Sequence, residues 1–160
     1  MATNNSIDYA LRVVESIAFS IHGILGLTEP FTGCLRSAFR DNGAMPSWFW
    51  PVAGAILLVV ARANFSSNDT VVLVTQAYIA SFHMGAVMYH LRLQHHPAAG
   101  TAPGVFVVIA FFVVVLRANF LVAFVGIFVC AAIAAILSRI LITPPSNIES
   151  NQRDDYVAIS

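Results

Sequence analysis

Long apolar runs alternate along the chain with short polar breaks. The runs are Ile7 to Leu27, Pro46 to Ala63, Thr70 to Leu93, and Pro103 to Ile142. About 20 residues of helix cross the roughly 30 Å of hydrocarbon in a bilayer. As one helix the last run would be about 60 Å long, twice what a bilayer needs, so it must break, and Arg117 and Asn119 mark the place. The pattern therefore predicts an all-α fold, a transmembrane helix bundle of five spans near residues 7–27, 46–63, 70–93, 103–118 and 121–142. A four-span arrangement would lay the final segment on the membrane surface, and that segment has no polar face to turn toward water. Residues 1–6 read as a polar N-terminal tail without the basic stretch of a secretory signal. Residues 143–160, broken by Pro144 and Pro145, read as a disordered C-terminal tail.

Inside the apolar runs a few polar positions recur at helical spacing. Gln76, His83 and His90 are each seven residues apart, which at 3.6 residues per turn places them nearly on one line of the third span. Glu15 and His22 share that spacing in the first span, so two facing helices would present matching polar stripes. Two readings stay open. As an interhelical hydrogen-bond network, the stripes would hold the bundle together, with Gly85 and Ala86 allowing close packing. As functional groups, Glu15, His22, Gln76, His83 and His90 are candidates for ligand binding or proton relay, including haem ligation by His22 with His83 or His90. Arg12 and Glu15, three apart, are expected to pair.

The breaks between spans carry their own signals. Phe31, Leu35 and Phe39 recur every four residues while Arg36 and Arg40 point elsewhere, which suggests a short interfacial helix. Trp48 and Trp50 suit an interfacial belt, and the prolines around them suit a helix start. VVARANF at Val59 to Phe65 recurs as VVLRANF at Val114 to Phe120, each copy ending a run where Arg can reach headgroups; a duplicated hairpin is one explanation. His95 and His96 are adjacent, point in different directions, and read as a solvated loop rather than a metal pair. Phe111, Phe112, Phe124 and Phe128 read as lipid-facing or packed surface.

Composition narrows the class. The 160 residues are 58% hydrophobic and 10% charged, against roughly 25% charged in soluble domains, so the bilayer is the main solvent. Eight basic residues, all Arg, balance eight acidic ones, which leaves no basic surface for nucleic acid. Cys34 and Cys130 form no CxxC pair, and no nucleophile elbow, phosphate loop or HExxH is present. With five spans, the loops bearing Arg36, Arg40 and Arg92 share a side with Arg139, Arg153 and the tail. Their excess over Arg12, Arg62 and Arg117 places that side in the cytoplasm. The sequons at Asn4, Asn64 and Asn68 fall on the opposite side, and Tyr156 to Ile159 has the form of a cytosolic sorting signal; both lean toward a eukaryotic endomembrane.

FHMGAVMYHLRL in the third span, with MPSWFWPVAGAILLVV in the second and the loop after the first, resembles the DoxX-like family of small membrane proteins. The residues carrying the resemblance are Met84, Gly85, Ala86, His90 and Leu91, with Pro51 and Gly54, and it covers about Ile7 to Arg117. Many members have a glutamate where this chain has Leu57, and most have four spans. The resemblance implies a bundle of transmembrane helices. Some members are linked to quinone-dependent oxidation of sulfur compounds, and an animal relative looks like a chaperone for receptor assembly; fold alone does not choose between them. The leading expectation is a non-enzymatic multi-pass protein without catalytic or metal-binding residues or a cofactor. It would contact the lipid bilayer and other membrane proteins as an accessory subunit or assembly factor. The alternative is a quinone- or haem-linked redox subunit using the histidines. Transport is disfavoured, since no inverted repeat or broken mid-membrane helix is evident.

Overall fold

The computed structural model describes residues 2–39 and 44–142, with side chains from Ser6 to Ala38 and from Ala44 onward. Arg40, the side chains of Asn4 and Phe39, and residues 143–160 with Arg153 and the Tyr156–Ile159 tetrapeptide lie outside this description. The described residues form helices α1 (Ala2–Thr32), α2 (Cys34–Phe39), α3 (Phe49–Ala63), α4 (Asp69–Arg92), a 3₁₀ turn (Pro97–Gly100), α5 (Thr101–Arg117) and α6 (Phe120–Leu141), with no strand among them. Among the described residues four stretches are long and apolar enough to cross a membrane, Ser6–Thr32, Asp69–Arg92, Pro97–Arg117 and Phe120–Leu141; Phe49–Ala63 is shorter.

Helix ends fall where local chemistry provides partners. Helix α1 begins at Ala2, so the residues read as a tail from Ala2 to Ser6 are its first turns. It stops at Gly33, whose φ of 60° is the left-handed conformation glycine adopts without a Cβ penalty. Glu29, 4% exposed, then accepts hydrogen bonds from Leu35 N at 2.6 Å and Arg36 N at 3.0 Å, satisfying the first amides of α2. This turn separates Phe31 from Leu35. The expected line Phe31, Leu35, Phe39 therefore does not lie on one helix: Phe31 ends α1 at 91% exposed, while Leu35 is 5% exposed in α2. Asn68 caps α4, accepting from Thr70 N at 2.9 Å, and Asn119 caps α6, accepting from Val122 N at 2.9 Å. The break between α5 and α6 falls at Ala118, beside Arg117 and Asn119.

The bundle is built from two parts. Helix α1 lies chiefly on α3, α4 packs on both α5 and α6, and α1 touches α5 across the middle. Phe19, Leu57, Ile79 and Ala110 share the central core; Leu35, Trp50, Tyr89 and Ile142 form a second cluster at the end where α1 finishes. Helix α6 buries only small side chains, Ala123, Cys130, Ala134 and Ser138, and leaves Phe120, Phe124, Phe128 and Ile140 exposed. Between apolar helices in lipid, close contact rather than water exclusion drives association, so small residues face inward.

The closest approach lies between α1 and α3. A Cβ added at Gly54 would sit 2.7 Å from Gly23 O and 2.7 Å from Leu27 N, and one at Gly26 would sit 2.8 Å from Gly54 Cα. Close packing was expected at Gly85 and Ala86. The structure corrects this: a Cβ at Gly85 meets nothing within 4 Å, and Ala86 is half-buried. Gly85→Ala should accordingly be neutral or stabilise by up to about 1 kcal/mol through helix propensity. Unfolding in detergent measures this, and a substantial loss would show that the α4 surface is packed against something at that point.

Candidate functional site

Asp8, Arg12, Glu15, Ser16, Asn64, Thr75 and Gln76, most of the buried polar side chains among the described residues, gather toward the end where α1 begins, α3 and α5 finish, and α4 and α6 start; Glu29, His83, His90 and Ser138 lie elsewhere. Asp8 lies one turn before Arg12 on α1 and binds it twice, from Nε at 3.1 Å and Nη2 at 2.9 Å. Arg117, at the end of α5, meets the same carboxylate as a fork, Nε to Oδ1 at 2.9 Å and Nη2 to Oδ2 at 2.8 Å, and extends Nη1 to Asp69. The expected pairing of Arg12 with Glu15 is thus replaced by Asp8, four residues before it on the same face. Arg12 also donates through Nη1 to the backbone oxygen of Asn64 at 2.5 Å.

One turn deeper lies a second layer. Glu15, Asn64 and Gln76 are each 0% exposed. Glu15 Oε2 accepts from Asn64 Nδ2 at 2.9 Å and from Gln76 Nε2 at 2.8 Å, and Gln76 Nε2 also reaches Asn64 Oδ1 at 2.9 Å. The three residues come from α1, the α3 terminus and α4, so the triangle closes a region where α3 and α4 otherwise touch little. Glu15 Oε1, Gln76 Oε1 and Ser16 Oγ are buried without a hydrogen-bond partner among the described residues. A cavity of about 130 Å³ among α4, α5 and α6 has Gln76 and Cys130 in its wall, among apolar neighbours such as Leu73, Ala110 and Phe111.

The predicted polar line of α4 is buried throughout, at 0% for Gln76, 6% for His83 and 9% for His90, but its members do not form one chain of contacts. Gln76 belongs to the triangle with Glu15. Buried Ile79 and Ala80 separate it from His83, whose Nδ1 bonds Ile79 O at 2.9 Å. Phe19 and Phe106 pack on the His83 ring, with centroids 5.2 Å and 4.9 Å away. His90 faces His95, the two Nδ1 atoms 2.9 Å apart. His22 is exposed, unlike the other four candidates.

Four participants were missed from sequence: Asp8, Asn64, Asp69 and Arg117. The signal for Asp8 was its place four residues before Arg12. Asn64 and Arg117 both sit in the repeated RANF stretch, and the two copies are used differently. In the first, Arg62 is exposed and Asn64 is buried in the triangle. In the second, Arg117 joins the ion cluster instead of reaching for headgroups, and Asn119 is an exposed cap. Leu57, where the DoxX-like pattern often has glutamate, is 4% exposed in the central core.

An all-helical bundle with four membrane-length apolar helices and a buried polar cluster at one end defines a multi-pass integral membrane protein in contact with lipid. No protein-family model, curated protein or solved structure matches the chain.

Proposed function

We propose that the protein is an accessory subunit or assembly factor of a membrane complex, acting by lateral contact with another membrane protein and not by catalysis. The observation that carries this reading is His22. Along α1, Glu15, His22 and Glu29 recur every seven residues on nearly one line. Glu15 and Glu29 are 0% and 4% exposed, while His22 between them is open. The chain's own helices leave the middle of that line uncovered, near the centre of the span Ser6–Thr32. A polar ring facing acyl chains is unfavourable, and polar groups at that depth turn toward protein or water. A partner helix that hydrogen-bonds His22 relieves the cost. The Arg side chains of the ion cluster, by contrast, are engaged within the chain, which fits a structural role there.

Five crossings complete the proposal, with α3 as the fifth. It runs antiparallel to α1 from Trp50, in the cluster with Tyr89, to Asn64, in the triangle with Glu15. Its 15 residues span about 22 Å, and the Pro46–Trp48 turn before it brings an interfacial tryptophan to the near boundary. On that count the positive-inside rule puts the C-terminal tail in the cytoplasm; the sequons and the tail tetrapeptide carry the eukaryotic endomembrane reading, and Met84, Gly85, Ala86, His90 and Leu91 the DoxX-like one.

A photo-crosslinking residue placed at position 22 should join to a distinct membrane protein in native membranes, and the same protein should co-purify with wild type but not with His22→Leu. Adducts to lipid alone would overturn the proposal. The redox alternative is read from the same preparation: a Soret band lost in His83→Ala would replace the contact reading with a haem subunit. The packing of Phe19 and Phe106 on His83 does not favour that outcome.

A further inference from the structure

Among the described residues three carboxyls are buried, Asp8, Glu15 and Glu29, and their oxygens are bonded differently. Both oxygens of Asp8 accept from guanidinium groups, and both of Glu29 from backbone amides. Glu15 Oε2 accepts twice, from Asn64 Nδ2 at 2.9 Å and Gln76 Nε2 at 2.8 Å, while Oε1 is buried and accepts nothing. A carboxylate spreads its charge over two equivalent oxygens that both call for donors. Two bonds at one oxygen and none at the other are the pattern of a carbonyl beside a hydroxyl. Gln76 Nε2 meets two acceptor oxygens, Glu15 Oε2 and Asn64 Oδ1, which fixes the orientation of its amide. Gln76 Oε1 is thereby left a buried acceptor without a donor.

The surrounding charges balance without Glu15. In the ion cluster Asp8 and Asp69 answer Arg12 and Arg117. Glu15 lies seven residues past Asp8, about 10 Å further along α1 and into the span. Arg12, next to it on α1, is turned to Asp8 and the backbone oxygen of Asn64. Helix α3 presents the neutral Asn64, and α5 brings Arg117, held by Asp8 and Asp69. On α4, Gln76 is neutral and His83 bonds Ile79 O; His22 on α1 is exposed. None of these cations pairs with Glu15. A carboxyl buried there without a cation is far less costly as the neutral acid.

We propose that Glu15 is a proton-binding site: its carboxyl holds a proton on Oε1 at neutral pH, and that hydroxyl donates to Gln76 Oε1. One proton then supplies the donor that both orphaned oxygens lack. Acid and amide are joined at both edges, which clasps α1 to α4, two helices whose backbones do not approach closely. Loss of the proton sets a negative charge against Gln76 Oε1, so the clasp depends on the proton. The site is independent of partner contact at His22.

The test is the infrared spectrum of the full chain in mild detergent at neutral pH. Wild type should show the carbonyl band of a protonated carboxyl, displaced when the glutamate carboxyls carry carbon-13. Glu15→Gln sets an amide where the neutral acid stood, with its donor and acceptor in the same places, and should fold as wild type without the band. Glu29→Gln should keep the band, because both Glu29 oxygens already have donors. Gln76→Leu removes the acceptor and should move the band to higher frequency as the hydroxyl loses its partner. A wild type without the band, a band that carbon-13 glutamate leaves in place, or one that survives in Glu15→Gln overturns the site. An unmoved band in Gln76→Leu overturns the clasp.

Discussion

Asp8→Ala is expected to destabilise the bundle by about 3–5 kcal/mol, the usual cost of removing one partner from a buried charge cluster and leaving the others uncompensated. The Asp8 carboxylate balances two guanidinium groups at once, and the side chains of Asp8, Arg12 and Arg117 are only 7%, 8% and 16% exposed. Arg117→Met should cost less, because Asp8 then keeps Arg12, and Asp69, at 72% exposed, returns to solvent without a buried charge. Unfolding of the two variants in detergent separates these cases. Equal losses would mean that Arg12 alone does not balance Asp8, and that the cluster acts as one indivisible unit. The lesion should also reach the deeper layer, since Arg12 bonds the backbone oxygen of Asn64, whose side chain meets Glu15.

Gly54→Ala carries the next largest expected effect, a loss of about 1–3 kcal/mol from overpacking. The added Cβ would meet Gly23 O, Leu27 N and Gly26 C at 2.7, 2.7 and 2.9 Å. All three are backbone atoms of α1, so no side chain can swing aside and the helices themselves must separate. Separation would strain the Asn64 to Glu15 hydrogen bond at the far end of α3. Gly85→Ala is the matched control, the same methyl added to a helix where nothing lies within 4 Å. If both substitutions change stability by the same amount, the α1–α3 contact is not what holds these helices together.

The two effects show what could and could not be read from residues in order. The polar character of Gln76, His83 and His90 within an apolar helix was legible, because burial follows from periodicity along one element. Their partners were not. Glu15 was expected beside Arg12 by spacing alone, yet Asp8 lies on the same face four residues away and also meets Arg117, a residue 109 positions along the chain. Asn64 looked like the end of a run, in a sequon too near the membrane to be glycosylated, and only the antiparallel lie of α3 on α1 carries it to Glu15. Gly85 and Gly54 are both glycines in apolar helices. Which one marks a contact depends on where the neighbouring backbone passes, and that information is held by another helix.

The sequence by itself determined the solvent and the local structure. Its apolar runs dictate helices, because in hydrocarbon every backbone group must be satisfied within its own segment. Its Asn68 and Asn119 mark where two of those helices begin and Gly33 where one ends. Tertiary structure alone decided which polar groups meet across helices, in the Asp8 cluster and the Glu15 triangle, and that His22 is exposed. Hydrogen bonds and close contacts between helices depend on crossing points and register set by the whole bundle, and no single run of residues contains them.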